Sequence, residues 1–464
     1  FAGRSPLGPR RPIAIRSFDI LPSTVVVPRP APFVMPVDIA DIAHIVDAQE
    51  AWRGQRSINL IASENAQSRA VRDIQNSDFM ARYAEGHPNQ GDEVKRYYQG
   101  TQHIDQIETM AREELLALVH CRQADVRPIS GNAANTAIAL GYLRGGDCLL
   151  VNSTAAGGHI SHNTFGVFGR RIQKRGQSLN LNAASHIPLH YFPLTEDQYH
   201  LDVQKGLDLI DQVAPRLIVL GKSLILFPEP VREFSELCRD RNIPILYDAA
   251  HVFGLIVGGE FQHPLREGAT WMTASTHKTF PGPQRGVILA DLDEEGARKF
   301  WPPADRGVFP GSSSNHHLHT LPALLVAIRE MRQHATAYAS QIVQNAKTLG
   351  KALDEEGIRV EGRDFGYTQS HQIALDVSDY GGGVAVAQRL EANDIIVNYN
   401  MLPWDSEPRN PSGLRIGVQE MTRYGMREAD MERLATLIRD AIKGVTALDG
   451  VHALRAACSV MQYQ

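Results

Sequence analysis

The chain is poor in several features that would assign a function at once. Its 464 residues include four cysteines, widely separated and without a Cys-x-x-Cys pair: Cys121, Cys148, Cys238 and Cys458. That spacing argues against a disulfide framework or a zinc site and favours a reducing compartment, so we expect a cytoplasmic protein. No apolar run reaches the ~18 residues that a membrane-spanning helix requires. The formal net charge of −5 gives no global positive field that would attract nucleic acid.

Length and composition are those of a globular protein. Hydrophobic residues make up 43% of the chain and charged residues 21%, which excludes wholesale disorder, a collagen-like repeat and a coiled coil. At roughly 100–200 residues per domain, the length predicts two or three domains. A chain of this size buries a large core and needs no metal or disulfide in order to fold.

The first 37 residues differ from the rest of the chain. They hold five arginines, a single acid, Asp19, and eight of the 26 prolines: Pro6, Pro9, Pro12, Pro22, Pro28, Pro30, Pro32 and Pro36. Proline fixes φ and removes backbone donors, so residues 1–37 are predicted to be an extended or disordered extension. An organelle leader is the alternative, but such leaders are also Ser-rich and amphipathic, unlike this stretch.

Beyond residue 37, short apolar runs alternate with amphipathic helical patterns. The runs are typical of buried parallel strands and lie at 148–151, 217–220, 243–247 and 286–289. The helical patterns lie at 38–52, 106–120, 231–241 and 321–356, with a further one that begins at Asn135. This alternation predicts βαβ units and a doubly wound, mostly parallel sheet.

The tail from residue 357 repeats the alternation on a smaller scale. A strand pattern covers 372–377, and helical patterns cover 384–393 and 428–443. We therefore expect an α/β fold with an N-terminal arm and large domain over 38–330 and a smaller C-terminal α/β domain over 331–464.

Two strand ends carry the strongest chemical signal. The run Ile243-Pro-Ile-Leu-Tyr ends in Asp248, followed by Ala-Ala-His251, and 30 residues later Met272-Thr-Ala-Ser-Thr-His ends in Lys278. In open α/β sheets, ligands bind beyond the carboxyl ends of the strands. A lysine that forms a Schiff base and an acid that protonates a pyridine nitrogen suit one cofactor, pyridoxal phosphate. Either residue alone is more often an ordinary loop charge, but the spaced pair is far more specific.

Three further segments supply what that cofactor and an amino-acid substrate need. Ser130-Gly131-Asn132 is a small-residue turn that leads into a helix, where backbone N–H groups bind phosphate. His159, in a glycine-rich turn after a strand, offers a flat ring to cover the cofactor. Arg415, in a strand-like run, matches a carboxylate by bidentate hydrogen bonding. Taken singly, an ordinary helix cap and a lone surface or core histidine would explain the first two.

These motifs belong to a longer series that runs in one order across residues 40–445. The series comprises Leu60-Ile-Ala-Ser-Glu-Asn65, Tyr83-Ala-Glu-Gly86, Arg96-Tyr-Tyr98, Ser130-Gly131, Gly157-Gly-His-Ile-Ser-His162, Tyr247-Asp-Ala-Ala-His251, Thr276-His-Lys-Thr279 and Gly413-Leu-Arg-Ile-Gly417. Through it the chain resembles the serine hydroxymethyltransferases, which are fold-type I pyridoxal phosphate enzymes. The resemblance implies the doubly wound large domain and the smaller C-terminal domain of that fold.

The sequence most resembles the archaeal-type branch of the family. The segments that resemble this branch are Phe280-Pro-Gly-Pro-Gln-Arg-Gly286, Ser314-Asn-His-His-Leu-His319 and Leu402-Pro-Trp-Asp405. Bacterial threonine transaldolases also resemble this branch, notably at Gly417-Val-Gln419 and at Thr368-Gln-Ser-His-Gln372.

The resemblance implies that eight residues hold pyridoxal phosphate. They are Lys278 for the Schiff base, Asp248 for the pyridine nitrogen, His159 stacked on the ring, His251 and Ser223 near the phenolic oxygen, and Ser130, Gly131 and His277 for the phosphate. We expect no metal cofactor. His316, His317 and His319 resemble a metal cluster, but their pattern lacks a partner carboxylate or cysteine, and the family branch carries it without metal chemistry.

The resemblance also implies a substrate site shared between subunits. Arg415 and Ser63 would hold the carboxylate of a small amino acid, and Glu85 would be the acid–base group at the hydroxymethyl carbon. Tyr83 and Tyr98 would come from the neighbouring subunit, so the site implies a homodimer or a tetramer. The expected reaction is retro-aldol cleavage of the Cα–Cβ bond of serine or a 2-substituted serine, with transfer of the one-carbon unit to a tetrahydrofolate-type pterin.

Two alternatives remain open at this point. A threonine transaldolase or aldolase would join a glycyl carbanion to a different aldehyde without folate. A non-catalytic binding protein on the same fold is a more remote reading, because Lys278, Asp248 and Arg415 are all present.

Three departures from the family pattern bear on the substrate. The loop at 86–95 is longer than usual by about five residues, and Gly311-Ser-Ser-Ser314 replaces the common Gln-Gly-Gly-Pro phosphate loop. Ala156 and Ser275 stand where many members have Asp and Thr. A roomier pocket would follow, although a single methyl group changes discrimination by only ~1–3 kcal/mol.

Overall fold

The computed structural model describes residues 38–89, 91, 93–164, 166–169, 188–407 and 409–464. The predicted extension over 1–37 lies outside the described residues and stays a prediction. The chain divides into residues 1–48 and residues 49–464. The fold described below belongs to the second of these units, apart from the first helix, which begins in the first unit.

Short strands alternate with helices along most of the described chain. The strands are β1 (Ile58–Asn59), β2 (Gln123–Asp125), β3 (Leu149–Val151), β4 (Leu189–Tyr191), β5 (Leu217–Leu220), β6 (Ile245–Asp248), β7 (Trp271–Ser275), β8 (Gly286–Ala290), β9 (Arg359–Val360), β10 (Gln372–Asp376), β11 (Ile395–Ile396), β12 (Asn398–Asn400) and β13 (Gly413–Gly417). The α-helices are α1 (Ile39–Gln49), α2 (Arg69–Asp73), α3 (Gln102–Val119), α4 (Gly131–Tyr142), α5 (Val203–Val213), α6 (Val231–Asp240), α7 (Phe253–Gly258), α8 (Pro264–Glu267), α9 (Glu294–Arg306), α10 (Thr320–Glu355), α11 (Gly382–Glu391), α12 (Gln419–Arg423), α13 (Glu428–Ile442) and α14 (Leu448–Ala457). The helices and strands expected from the sequence are all present, with ends shifted by a few residues.

A seven-stranded sheet forms the centre of the fold, in the order β2-β8-β7-β6-β5-β3-β4. Strands β3 to β7 run parallel to one another, which confirms the doubly wound, mostly parallel α/β fold. The run at 286–289 was expected to be parallel, and that expectation is wrong. Strand β8 pairs antiparallel with both β7 and β2, and an apolar buried run has the same pattern in either direction.

The central strands are apolar because helices cover both faces of the sheet. Every residue of β5, β6, β7 and β8 is buried. The 36-residue helix α10 packs against α3, α7 and α13. The domain boundary expected after residue 330 falls inside α10 and stays a prediction.

A second, four-stranded antiparallel sheet has the order β12-β13-β10-β9. Strand β13 lies in its interior, where Arg415 pairs with Asn398 of β12 on one side and with Ala374 of β10 on the other. Strand β1 pairs separately with β11. The residues just after β1 therefore lie beside the sheet that carries Arg415, since the backbone N–H of Gly417 donates to Leu60 O at 2.8 Å.

The described helices include none with the combination of length and apolar character that spanning a bilayer demands. The four cysteines are free thiols.

Candidate active site

Asp248 and Lys278 come together because adjacent parallel strands deliver them to the same edge of the sheet. Asp248 is the last residue of β6 and pairs in register with Thr273 of β7. Lys278 follows three residues after the end of β7. The carboxyl ends of parallel strands form the ligand-binding edge of an open sheet. We call the site at this edge, formed by Asp248, Lys278, His159, His251 and Arg415, the strand-end pocket.

Asp248 is a buried carboxylate that three donors keep ionised. Its Oδ2 atom accepts hydrogen bonds from Asn135 Nδ2 at 2.8 Å and from His162 Nε2 at 3.0 Å, and its Oδ1 atom accepts one from Ala250 N at 2.9 Å. Burial alone would raise the pKa of Asp248, but the hydrogen bond and charge of His162 outweigh burial and lower it. An anion fixed in this way suits a protonated pyridine nitrogen.

Lys278 is a buried amine with a lowered pKa. Burial lowers the pKa of Lys278 to about 8, with the charge of Arg415 acting in the same direction and that of Asp248 opposing it. A lysine with a lowered pKa has a larger fraction of nucleophilic, unprotonated amine at neutral pH. Its backbone is held by Asn65, whose Nδ2 atom donates to Lys278 O at 2.6 Å.

The N-terminus of α4 forms an anion site beside these residues. Ser130 caps the helix by accepting a hydrogen bond from Ala133 N at 3.0 Å. A Cβ atom on Gly131 would come within 2.4 Å of Ser275 Oγ, so a larger residue there would displace the Ser275 side chain. His277 Nδ1 is buried and has no hydrogen-bond partner among the described residues. These groups fit a phosphate at a helix N-terminus.

His159 lies in a turn that requires glycine. Gly157 has a φ of +88°, and a Cβ atom on it would lie 2.4 Å from Leu224 O. His159 Nδ1 is 2.7 Å from Ser161 Oγ, and burial lowers the pKa of this imidazole to about 4. The ring is therefore neutral at pH 7, as a stacking partner for an aromatic cofactor should be.

Arg415 is a buried cation without an acidic partner in the described part of the chain. Its Nη1 atom donates to Ser223 O at 2.8 Å, and its Nη2 and Nε atoms donate to Asn398 Oδ1 at 3.1 Å and 3.3 Å. Only 8% of the residue is exposed, and burial lowers the pKa of the guanidinium to about 10. Burying an unpaired charge is costly, and a substrate carboxylate would offset that cost.

The strand-end pocket thus fits pyridoxal phosphate with an amino acid. Lys278 and Asp248 match the aldehyde and the pyridine nitrogen, the N-terminus of α4 and His277 match the phosphate, and Arg415 matches a carboxylate. The orphaned Nδ1 atom of His277 and the unpaired charge of Arg415 are the observations on which this assignment rests.

The loop that carries Ser63 lies against the strand-end pocket. His371 Nε2 donates to Ala62 O at 3.1 Å, and Gln419 Nε2 donates to Ile61 O at 2.9 Å and to Glu64 O at 2.6 Å. These bonds fix the backbone on both sides of Ser63, and the role of Ser63 at the substrate carboxylate stays a prediction.

Tyr83, Glu85 and Tyr98 form a separate cluster, which we call the tyrosine–glutamate group. Tyr98 Oη donates to Glu85 Oε2 at 3.3 Å, and the two tyrosine rings lie 5.3 Å apart. Tyr83 is 49% exposed and Tyr98 is 38% exposed. Within the described residues, none of the three makes a hydrogen bond or an ion pair with a member of the strand-end pocket.

Comparison with known proteins identifies the family. The family model for serine hydroxymethyltransferase matches residues 36–438. The chain belongs to this family. The serine hydroxymethyltransferase of Saccharolobus islandicus strain M.14.25 is 44% identical over 410 residues, covering 88% of this chain and 89% of the relative. That of Pyrococcus abyssi strain GE5 is 46% identical over 407 residues, covering 86% and 89%.

A solved structure shares the same fold. The crystal structure of L-threonine transaldolase from Pseudomonas fluorescens superposes with a TM-score of 0.80 at 28% identity, covering 92% of this chain and 93% of that one. The expectation of a fold-type I pyridoxal phosphate enzyme is thereby confirmed. The chain is a pyridoxal phosphate-dependent transferase of the serine hydroxymethyltransferase family.

The histidines at 316–319 make different contacts. His316 Nε2 is bonded to the buried Glu108 Oε2 at 2.9 Å, while the rings of His317 and His319 stack 6.3 Å apart. In the described part of the chain, the group of His159, His162 and Asp248 has ligand atoms within 4.8 Å of one another. In that group His159 and His162 lie beside Asp248, the carboxylate predicted to bind the pyridine nitrogen.

Three of the departures from the family pattern, namely Ser275, Ala156 and the long loop, have neighbours or burial that the structure describes. Ser275 lies against Gly131 at the phosphate site, and Ala156 is buried. In the long loop, His87 Nε2 lies 2.6 Å from Asp305 Oδ1, and Asn89 Oδ1 accepts hydrogen bonds from the backbone N–H groups of residues 95 and 96. The loop is therefore attached to the body of the protein at several points.

Sequence reasoning gave no role to four polar residues that hold the others in place. They are Asn135 and His162 at Asp248, Asn398 at Arg415, and Gln372 at His251. His162 stands at the end of a recognised motif, and Gln372 at the end of another, which was the available signal. Asn135 is 113 positions from Asp248, and Asn398 pairs with Arg415 only through the register of two neighbouring strands, so local patterns did not pair them.

Proposed function

We propose that this chain transfers the hydroxymethyl group of serine, or of a 2-substituted serine, to a tetrahydrofolate-type pterin. The observation that carries the proposal is the strand-end pocket itself, where a lysine with a lowered pKa, an ionised aspartate and an unpaired buried arginine converge. Bound pyridoxal phosphate supplies the electron sink that makes cleavage at Cα feasible. The sequence likeness to named serine hydroxymethyltransferases supports the choice of reaction.

Each residue of the strand-end pocket is assigned one part of the cofactor or of the substrate. Asp248 keeps a proton on the pyridine nitrogen, because its carboxylate stays ionised while buried. Arg415 and Ser63 hold the substrate carboxylate, which fixes the orientation of the bonds at Cα relative to the cofactor ring. His159 covers the ring, and Ser223 and His251 stand at its phenolic oxygen. Ser130, Gly131 and His277 bind the phosphate.

The tyrosine–glutamate group completes the site from a second copy of the chain. Glu85 would move the proton at the β-hydroxyl group, the step that retro-aldol cleavage requires of a general base. Its half-buried position beside the exposed Tyr83 and Tyr98, without a hydrogen bond or ion pair to the pocket of its own chain in the described residues, supports a homodimer or tetramer with shared sites. We also propose a cytoplasmic location, since free thiols are typical of reducing compartments.

One assay tests the reaction. Serine, 2-methylserine and threonine are supplied in turn to the cofactor-loaded enzyme, with and without tetrahydrofolate, and the aldehyde or one-carbon product is measured. We expect serine or 2-methylserine to be cleaved faster when tetrahydrofolate is present, with Lys278→Ala as the inactive blank. Absence of any pterin-dependent transfer would overturn the proposal.

A threonine transaldolase is the second candidate, favoured by the structural likeness to the Pseudomonas fluorescens enzyme and by the buried Ala156 and Ser275. It predicts acetaldehyde release from threonine without folate and incorporation of a second aldehyde. Threonine left intact in the same assay would reject it.

A further inference from the structure

Gln372 is a fully buried polar residue that the proposed reaction does not use. It is the first residue of β10, with 0% of its surface exposed. Its side chain crosses to the segment at 223–225 and to His251. The Oε1 atom accepts a hydrogen bond from Ile225 N at 2.9 Å, and the Nε2 atom lies 3.0 Å from Ser223 O and 2.9 Å from His251 Nδ1.

Two backbone groups fix the orientation of the Gln372 amide. The N–H of Ile225 can only donate and the carbonyl of Ser223 can only accept. A flipped amide would oppose both groups, donor to donor and acceptor to acceptor, in a site without exposure to water. The amide nitrogen therefore points at Ser223 O and at His251, with one hydrogen for each.

This orientation determines the tautomer of His251. Because Gln372 donates to Nδ1, that nitrogen must carry a lone pair, and the proton of the neutral imidazole must be on Nε2. Nε2 has no hydrogen-bond partner among the described residues, so its N–H group remains available as a donor. The backbone of His251 is fixed separately, since Thr279 Oγ1 donates to His251 O at 2.7 Å.

The same amide also contributes to the position of Arg415. Ser223 O accepts hydrogen bonds from both Gln372 Nε2 and Arg415 Nη1, at 3.0 Å and 2.8 Å. These two bonds use both lone pairs of the carbonyl. Ser223 N in turn donates to Gly157 O at 2.7 Å, which links the arrangement to the turn that carries His159.

We propose that Gln372 is a positioning residue that holds His251 as the neutral Nε2–H tautomer and, through Ser223 O, fixes the guanidinium of Arg415. The N–H of His251 is thereby presented to the phenolic oxygen of the cofactor as a hydrogen-bond donor. One amide thus couples the cofactor side of the site to its substrate side. The assignment of those two sides rests on the proposed function, whereas the tautomer of His251 does not.

The surroundings of His251 favour its neutral state. Burial lowers the pKa of His251 well below its usual value, and the nearby Lys278, Arg415, His371 and His159 act in the same direction. His371 donates from its Nε2 atom to Ala62 O, so it cannot also accept from Gln372 at that atom.

Two substitutions at residue 372 separate the polarity of the amide from its size. Gln372→Met preserves length and removes both donors. Gln372→Glu keeps an acceptor for Ile225 N but presents a carboxylate oxygen to His251 and to Ser223 O. Gln369→Met, three residues earlier and exposed, is the matched control.

The first readout is the protonation of His251 in the cofactor-loaded enzyme, measured by nitrogen-15 spectroscopy of histidine-labelled protein. The signal is assigned by its loss in His251→Asn. We expect unprotonated Nδ1 and protonated Nε2 in the wild type and the Gln369→Met control, and a protonated Nδ1 in Gln372→Glu. A wild-type His251 with its proton on Nδ1, or an unchanged spectrum in Gln372→Glu, would overturn the proposal.

The second readout is binding of glycine, followed through the visible spectrum of the bound cofactor. Loss of the bond to Ser223 O should weaken glycine binding about tenfold in Gln372→Met, with the control unchanged. Unaltered glycine affinity in Gln372→Met would contradict the link to Arg415. Both readouts hold whichever aldehyde or pterin the enzyme uses, so failure of the proposed reaction leaves them interpretable.

Discussion

The strand-end pocket and the tyrosine–glutamate group differ in how completely one chain supplies them. In the pocket, Asp248, His251 and Arg415 are buried and bonded to partners in the same chain. In the group, Tyr83 and Tyr98 are largely exposed, and Tyr98 is the described hydrogen-bond partner of the Glu85 side chain. The residues proposed to bind the cofactor thus have their partners in a single chain, whereas the residue proposed for acid–base chemistry lies in a cluster that we propose a second copy covers.

The largest effect is expected from Lys278→Ala, which removes the residue that anchors the cofactor. Activity toward serine should fall by ~10⁴-fold or more, with loss of the visible absorbance of the bound cofactor. Lys351→Ala, at an exposed position on α10, is the control and should retain both. Substantial cleavage of serine by Lys278→Ala would show that the reaction does not take place in the strand-end pocket.

Glu85→Gln should lower activity by ~10²-fold or more while cofactor absorbance persists, because general acid–base groups contribute on that scale. Mixing unfolded Glu85→Gln and Lys278→Ala chains and refolding them together tests whether sites are shared. Half of the dimers would then be mixed, each with one intact site, and about a quarter of the wild-type activity should return. If the mixtures are as inactive as each variant alone, Glu85 and Lys278 of the same chain serve the same site. The strand-end pocket and the tyrosine–glutamate group would then not differ in which chain supplies them.

Arg415→Lys should raise the KM for serine roughly 10- to 100-fold and change kcat less. An ammonium group cannot reproduce the fork that donates to Ser223 O, Asn398 Oδ1 and a carboxylate together. Steady-state kinetics with serine measures the split. Arg363→Lys, an exposed position outside the pocket, controls for the chemical change, and an unaltered KM in Arg415→Lys would assign the carboxylate to another residue.

The smallest expected effect is that of pH on cofactor capture and on the stability of the apo protein. The folded-state pKa of Lys278 lies near 8, below the unfolded value of 10.5, so the amine is mostly neutral above pH 8 and mostly charged below it. Capture of added pyridoxal phosphate by the apo protein should therefore slow about fivefold from pH 8 to pH 7, because the neutral fraction of an amine with a pKa near 8 falls from about a half to about a tenth. By the same shift, the apo protein should gain stability as pH rises from about 8 to 10.5, since the unfolded chain then binds more protons. Stopped-flow absorbance and thermal unfolding measure the two trends, and a flat rate between pH 7 and pH 8 would contradict the lowered pKa.

The sequence predicted the residues of the strand-end pocket better than the residues that hold them in place. Asp248 and Lys278 end apolar runs, so a local pattern located them on strands and the rule for open sheets brought them together. The direction of β8 could not be predicted, because burial on both faces makes parallel and antiparallel strands look alike. Gln372 and Ser223 are 149 positions apart, and no local pattern reports such a contact.

The tyrosine–glutamate group marks a different limit. Its three residues were found through likeness to a family, and their local sequence does not indicate a catalytic role. Their chemistry depends on what covers them, which is a property of an assembly and not of the chain's own pattern of apolar and polar residues.

The spacing of the pocket's residues along the chain has a consequence for its evolution. Asp248 and Lys278 lie within one β-α-β segment, 30 positions apart, whereas Arg415 lies 137 positions beyond Lys278 on a different sheet. Mutation or recombination in the smaller sheet can therefore alter which amino acids are accepted while the inherited cofactor segment stays intact. A family built in this way can acquire new substrates by varying one part of the gene and conserving another.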